Sequence, residues 1–103
     1  MRQIEVSGSS IELTDEGFLT DPTVWTKDIA TALANEEGIE LTDKHFEVFE
    51  YLRTQYTNGE SLSIRKVGKS GIVDIKGLYV LFPGGPLKKS SKIAGIPKPT
   101  SCV

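Results

Sequence analysis

A chain of 103 residues, 38% apolar and 25% charged, holds enough material for one packed domain and is not the composition of a polypeptide disordered throughout. No segment approaches the roughly 20 apolar residues of a membrane span or the apolar run of a secretory leader, so a cytoplasmic protein with no membrane attachment is expected. The net charge of −2 hides a division: residues 1–60 carry 13 acidic and 4 basic side chains, residues 61–103 carry 1 and 8, so either the C-terminal half meets an anionic partner or the two halves attract each other.

Residues 3–13 alternate in "QIEV" and "SIELT" about the turn-forming "SGSS" and predict a β-hairpin; Gly17 marks a second turn, after which Phe18 and Leu19 begin a third strand of a small meander. Asp21 followed by Pro22 is the pattern of an N-cap with proline at the first helical position, opening a helical region that ends at Gly38. Ile29, Ala30, Leu33 and Ala34 recur on one face of it, and Trp25 at its start is expected to anchor the core. Thr42 caps the next helix, which runs to "NG" at 58 and 59 with His45, Phe49, Leu52 and Tyr56 in one stripe. His45, a lone histidine in the first turn, is expected to be structural or exposed rather than catalytic.

Two short helices follow. The first is capped by Ser61 or Ser63; the second has Ile75, Leu78 and Phe82 on one face and an interior Gly77, which costs up to about 1 kcal/mol relative to Ala. As a helix-turn-helix they would offer Arg65, Lys66, Lys69 and Lys76 to phosphates. As a small helical array they would carry a solvated basic face, the favoured reading because acidic residues dominate the rest of the chain.

From Pro83 onward Pro86, Pro97 and Pro99 with Gly84, Gly85 and Gly95 predict an extended arm, kept soluble by Lys88, Lys89, Lys92 and Lys98. The domain plan is thus a core over 1–83 and an arm over 84–103. Gly84 and Gly85 loosen its exit, Pro97 and Pro99 hold its tip extended, and Ile93 and Ile96 rest on the domain or on a partner. Cys102, the only cysteine and the last residue but one, excludes an internal disulfide; with one histidine it cannot make a zinc site, so no metal or cofactor is expected. The 18 residues from Pro86 to Val103 reach at most about 60 Å if extended, enough to carry a thiol into another protein's cleft. An unperturbed thiol is only a few per cent ionised at neutral pH, so its activation is assigned to a partner's pocket. With no fixed base beside it, Cys102 supports at most a sulfurtransferase that acts as a carrier, not a self-contained enzyme.

"LYVLFPGGP" at 78–86 and "KIAGIPKPTSCV" at 92–103 resemble the DsrC/TusE family, which comprises the gamma subunit of dissimilatory sulfite reductase and the related sulfur-relay protein of tRNA 2-thiouridine synthesis. "DEGFL" at 15–19, "ANEEGIELTDKHFEVFEYLR" at 34–53 and "SIR" at 63–65 match in the same order. The resemblance implies an α+β fold, a small N-terminal β-meander packed on a helical array of shortened helix-turn-helix type, with a C-terminal arm. It implies that Cys102 accepts sulfur as a persulfide, with Gly84, Gly85, Gly95, Pro97 and Pro99 presenting it and Arg65, Lys66, Lys88, Lys89, Lys92 and Lys98 as partner or anion contacts.

Three departures qualify what is carried over. Ser91 stands where DsrC proteins have a second arm cysteine, so the pattern is that of the single-cysteine, TusE-like branch. Ser101 precedes the cysteine in place of the more usual Gly, and the stretch between Ile64 and Leu78 is shorter than is usual. The implied partners are a sulfur donor and a sulfur acceptor of a relay; the alternative is a gamma-subunit-like or regulatory module docking on a sulfite-reductase-like complex. Direct nucleic-acid binding is not expected.

Overall fold

The computed structural model describes residues 2–98 and gives an α+β fold, one hairpin followed by a 3-10 turn and five helices. Strands β1 (Arg2–Val6) and β2 (Ser9–Leu13) pair antiparallel with Ile4 opposite Ile11. The two-residue connection Ser7–Gly8 has φ of 52° and 83°, the positive values that a tight turn needs to follow the right-handed twist of its strands. Ile11 and Leu13 are buried while Ser10 and Glu12 are exposed, so one face of the ribbon turns inward.

The third strand of the expected meander is reduced to a single bridge between Leu13 and Leu19. The Thr14 amide donates to the Phe18 carbonyl at 2.7 Å and the Phe18 amide to the Thr14 hydroxyl at 3.1 Å, closing a turn. Pro22, which has no N–H to give a ladder, follows three residues after Leu19.

The single helical region expected from Asp21 is in fact two elements. Asp21 caps only the 3-10 turn Pro22–Val24; its carboxylate takes a hydrogen bond from the Thr23 hydroxyl at 2.6 Å and one from the Thr23 amide, which hold it below the usual aspartate range. Trp25 is extended, and Thr26 then caps α1 (Lys27–Glu36) by accepting from the Ile29 amide at 3.2 Å. The break lets the Trp25 ring swing onto the core, edge-on to Phe49 at 6.4 Å. Ile29, Ala30, Leu33 and Ala34 form the buried face as expected, and beyond Gly38 the Ile39 amide returns to the Ala34 carbonyl at 2.9 Å, a Schellman stop.

Helix α2 (Asp43–Thr57) buries His45, Phe49 and Leu52 of the expected stripe, but Tyr56 is 44% exposed and fully buried Val48 takes its place. His45 is structural. Its Nδ1 accepts the Thr42 amide at 3.1 Å, so Nε2 carries the proton and donates to the Leu81 carbonyl at 3.0 Å. Its ring also stands edge-on to Phe82 at 5.1 Å, tying the start of α2 to the end of α4.

Ser63, one of the two expected caps, starts α3 (Ile64–Gly68), and Asp74 starts α4 (Ile75–Leu81) by accepting from the Gly77 amide at 2.6 Å. Gly77 costs helix propensity but is required: a Cβ there would lie 2.5 Å from Val73 Cγ2. Leu78 and Phe82 are fully buried, whereas Ile75, expected beside them, is 43% exposed.

The largest correction concerns the expected arm. Pro86–Ile93 is a helix, α5, packed against α1, α2 and α4, with Pro86, Leu87, Ser90, Ser91 and Ile93 buried. Gly84 and Gly85 turn the chain into Pro86 at the first helical position rather than loosening an exit, and the packing does not divide at residue 84. Ile93, Ala94 and Ile96 are at most 1% exposed and belong to the same core as Leu13, Phe49 and Phe82. Burial of each large aliphatic side chain there contributes about 1.5–3 kcal/mol. Among the described residues no helix is long and apolar enough to cross a membrane, and no group of three or more His, Cys, Asp or Glu could hold a metal ion.

Candidate functional site

Cys102 and Pro99 lie outside the described residues, so the site is read from the structure that leads to them. That structure is a clamp on the C-terminal end of α5. A helix leaves its last four carbonyls without intrahelical donors, and here each finds one. The Ile96 amide reaches Ser91 and the Gly95 amide reaches Lys92, both at 3.2 Å. The Trp25 indole N–H donates to the Ile93 carbonyl at 2.8 Å, and Arg53 Nη1 donates to Ala94 at 2.9 Å.

Arg53 does more than cap. Its Nη2 donates to the Pro22 carbonyl at 2.9 Å and its guanidinium lies 4.6 Å from the centre of the Trp25 ring, so one planar cation joins the 3-10 turn, the indole and the end of α5. Burial pushes its pKa below the usual arginine range, yet its charge complements the negative end of the helix dipole. Gly95 closes the arrangement. Its φ is +75°, and a Cβ would fall 2.3 Å from Trp25 Cδ1 and 2.8 Å from Leu19 Cδ1, so only glycine fits both the backbone and the space.

The lysines named from the sequence are distributed unevenly. Lys92 pairs with Glu37 at 2.7 Å with side chains only 17% and 22% exposed. Lys98 binds both oxygens of Glu16, at 2.9 and 3.1 Å, and Lys88 stands 3.9 Å from the same carboxylate. The hydrogen bond from Lys98, ahead of the charges of Lys98, Lys88 and Lys92, holds Glu16 below the usual glutamate range. Lys89 donates to the Pro83 carbonyl at 2.6 Å and Lys66 to the Ser61 carbonyl at 2.8 Å. These contacts realise part of the attraction between the acidic and basic halves. Arg65 is exposed, with no side-chain hydrogen bond or ion pair among the described residues.

The clamp fixes where the chain leaves the body. Pro97 and Lys98 emerge over a shallow groove walled by the 14–20 loop. Four residues link Lys98 to Cys102, so chain geometry confines the cysteine Cα to within about 14 Å of Lys98, at 3.3–3.6 Å per residue. The span of about 60 Å computed for an arm starting at Pro86 does not apply, since ten of those residues are helix or core. Sequence reasoning placed Trp25 in the core but missed its bond to Ile93, and missed Arg53, Glu16 and Glu37 as holders of the segment. No local signal marks them: their partners lie 41, 82 and 55 residues away.

One further polar atom is unusual. Ser91 is fully buried, and its Oγ has no hydrogen-bond partner among the described residues.

Residues 5–103 match the family model described as DsrC like protein. The chain is 40% identical to Sulfurtransferase TusE of Pectobacterium atrosepticum, over 97% of this chain and 99% of that one, and 38% identical to Sulfurtransferase TusE of Escherichia coli, over 93% and 95%. Among solved structures it superposes on the oxidized gamma-subunit of the dissimilatory sulfite reductase (DsrC) of Archaeoglobus fulgidus with a TM-score of 0.85 and 35% identity, covering 99% of this chain and all of the other. Allochromatium vinosum DsrC gives 0.83 and 34%, with 98% and 97% covered. The chain therefore belongs to the DsrC-like family.

Proposed function

We propose that this protein is a sulfur carrier of a relay, holding sulfane sulfur on Cys102 and passing it from a donor protein to an acceptor. The observation that carries the reading is the extent of the family match, which runs through residue 103 and so includes Cys102, together with nearly full-length likeness to proteins named as sulfurtransferases.

In the loading step the Cys102 thiolate attacks the outer sulfur of a donor cysteine persulfide. The new bond joins Cys102 Sγ to that sulfur, the donor S–S bond breaks, and its electron pair leaves on the donor as a thiolate. The proton released when Cys102 ionises goes to the donor's base or to solvent. In the delivery step an acceptor thiolate attacks the terminal sulfur and Cys102 departs as the thiolate. Neither step consumes an external oxidant or reductant. In this reading the partner's pocket supplies the base and raises the thiolate fraction above the few per cent of an unperturbed thiol. The anchoring of the chain before Cys102 supports the same reading, because Trp25, Arg53 and Glu16 hold Ile93, Ala94 and Lys98 on the body. Delivery toward tRNA thiolation is the destination that the DsrC/TusE resemblance of the sequence implies.

A small-molecule persulfide incubated with the purified chain is expected to add one sulfur mass to the intact protein, removed by a thiol reductant and absent in Cys102→Ser. Wild-type protein that gains no sulfur under conditions that load a known carrier would end the proposal. The likeness to the gamma subunit favours a second reading, docking on a sulfite-reductase-like complex. Binding to such a complex that is unchanged in Cys102→Ser would select it.

A further inference from the structure

We propose that the outward face of α3 and α4 is a docking surface for a partner protein that presents carboxylates around an apolar patch. Five large apolar or aromatic side chains are exposed on the described surface, and three of them, Ile75, Tyr79 and Val80, belong to the seven residues of α4. Isolated exposed hydrophobics are ordinary, but a cluster on one short helix is not. Ile75 and Tyr79 are one turn apart and make one row, with Lys76 and Val80 in the next.

The charges around this patch set the partner's chemistry. Arg65, Lys69 and Lys76 are exposed and line one groove with Ile75. Their side chains have no hydrogen bond or ion pair among the described residues, in contrast to Lys66, Lys88, Lys92 and Lys98, which are held by carbonyls or carboxylates. Asp74 lines the same groove and accepts a hydrogen bond from the Gly77 amide. Cations without an ion pair among the described residues thus flank Ile75, one turn from Tyr79, and are complementary to carboxylates flanking an apolar centre, with the Tyr and Arg that protein interfaces favour; Val80 lies in a separate groove with Glu37 and Glu40. Helices α3 and α4 are in close contact without any partner: a Cβ on Gly68 would lie 2.7 Å from Ile75 Cγ1.

Nucleic acid fits the same face poorly. Useful affinity for a duplex draws on about 6–10 phosphate contacts, and three cations cannot make them. At 1.5 Å per residue, α4 is about 10 Å long, shorter than the width of the major groove it would have to read. Branched aliphatic side chains also occupy the centre of the patch, where phosphates would need donors.

The test reads contact rather than sulfur, so it stands or falls separately from the carrier reading. The full chain with Tyr79→p-benzoylphenylalanine is expressed in its own cells and irradiated, with Thr31→p-benzoylphenylalanine on exposed α1 as control, and the crosslinked peptide is sequenced. Position 79 is expected to capture a protein segment in which Asp or Glu flank apolar residues. The yield should fall at least tenfold in Arg65→Glu/Lys69→Glu/Lys76→Glu, and equally in Val80→Asp should the triple variant not fold. Both variants should keep persulfide loading of Cys102 from the small-molecule donor. A crosslink to nucleic acid, to a second copy of this chain or to a segment without carboxylates would overturn the proposal, as would a yield no higher than at position 31 or one indifferent to charge reversal.

Discussion

The end of α5 and the face of α3–α4 carry similar residues, lysines and aliphatics, and use them in opposite ways. Around α5 the aliphatics are at most 1% exposed, each terminal carbonyl has a donor, and the lysines reach back to Glu16 and Glu37 in the first half of the chain. On α4 Ile75, Tyr79 and Val80 are exposed, and Arg65, Lys69 and Lys76 beside Ile75 have no side-chain hydrogen bond or ion pair among the described residues. The difference teaches where binding capacity is left. Interactions satisfied within the domain hold the tail root in place; those left over are available to another protein.

The sharpest way to break the comparison is to remove α5. A chain stopped after Gly85 is expected to lose cooperative unfolding and its near-ultraviolet circular dichroism, because the core of α1, α2 and α4 is built around the missing helix. A truncated chain that melts like the parent would make α5 an appendage after all. Next in size are single changes within α5 and at its clamp. Leu87→Ala should cost about 2–5 kcal/mol in denaturant unfolding. Gly95→Ala should cost about 3 kcal/mol, from the left-handed backbone and the collision with Trp25.

Arg53→Ala strips the Ala94 and Pro22 carbonyls of a charged donor and should cost about 2–3 kcal/mol. Arg53→Lys should recover only part of that, since an ammonium lacks the planar fork that serves both carbonyls. Ser91→Ala should instead stabilise by about 1 kcal/mol, as it removes a buried hydroxyl without a partner among the described residues; destabilisation would show that the hydroxyl is satisfied in solution. The smallest effect is at the surface. Glu16 is held below the usual glutamate range, so its attachment to Lys98 is complete above that range and is lost as pH falls through the lowered value. A carboxyl-carbon titration of Glu16 by NMR, read with the Lys98 amide shift, should show the two moving together below neutral pH, and high salt should weaken the coupling.

What could be read beforehand follows the range of the forces involved. The buried face of α1, that of α2 up to Leu52 and the stop at Gly38 are written in neighbouring residues, through apolar spacing and cap chemistry, and they appear where expected. Helix α5 is hidden by the four prolines of the segment 83–99, which read as breakers, although Pro86 sits at the first helical position and Pro97 lies beyond the last, leaving an uninterrupted run between them. Its buried face also hides two serines, Ser90 and Ser91, among polar-looking neighbours, so no apolar stripe announces it. The exposure of Ile75 was equally illegible, since spacing alone puts it with Leu78 and Phe82 and only the packing of α3 decides otherwise. As for the tail, its anchoring by Trp25, Arg53 and Glu16 is a matter of tertiary distance and leaves no trace in local pattern.

The placement of α5 at the centre of the core has a consequence for biosynthesis. A ribosome that has finished α4 has released a body lacking the helix around which its layers close, so stable folding waits for the stretch that also leads to the thiol. A half-made chain would then have no settled interior, and its folding would be completed only once the last helix has been made.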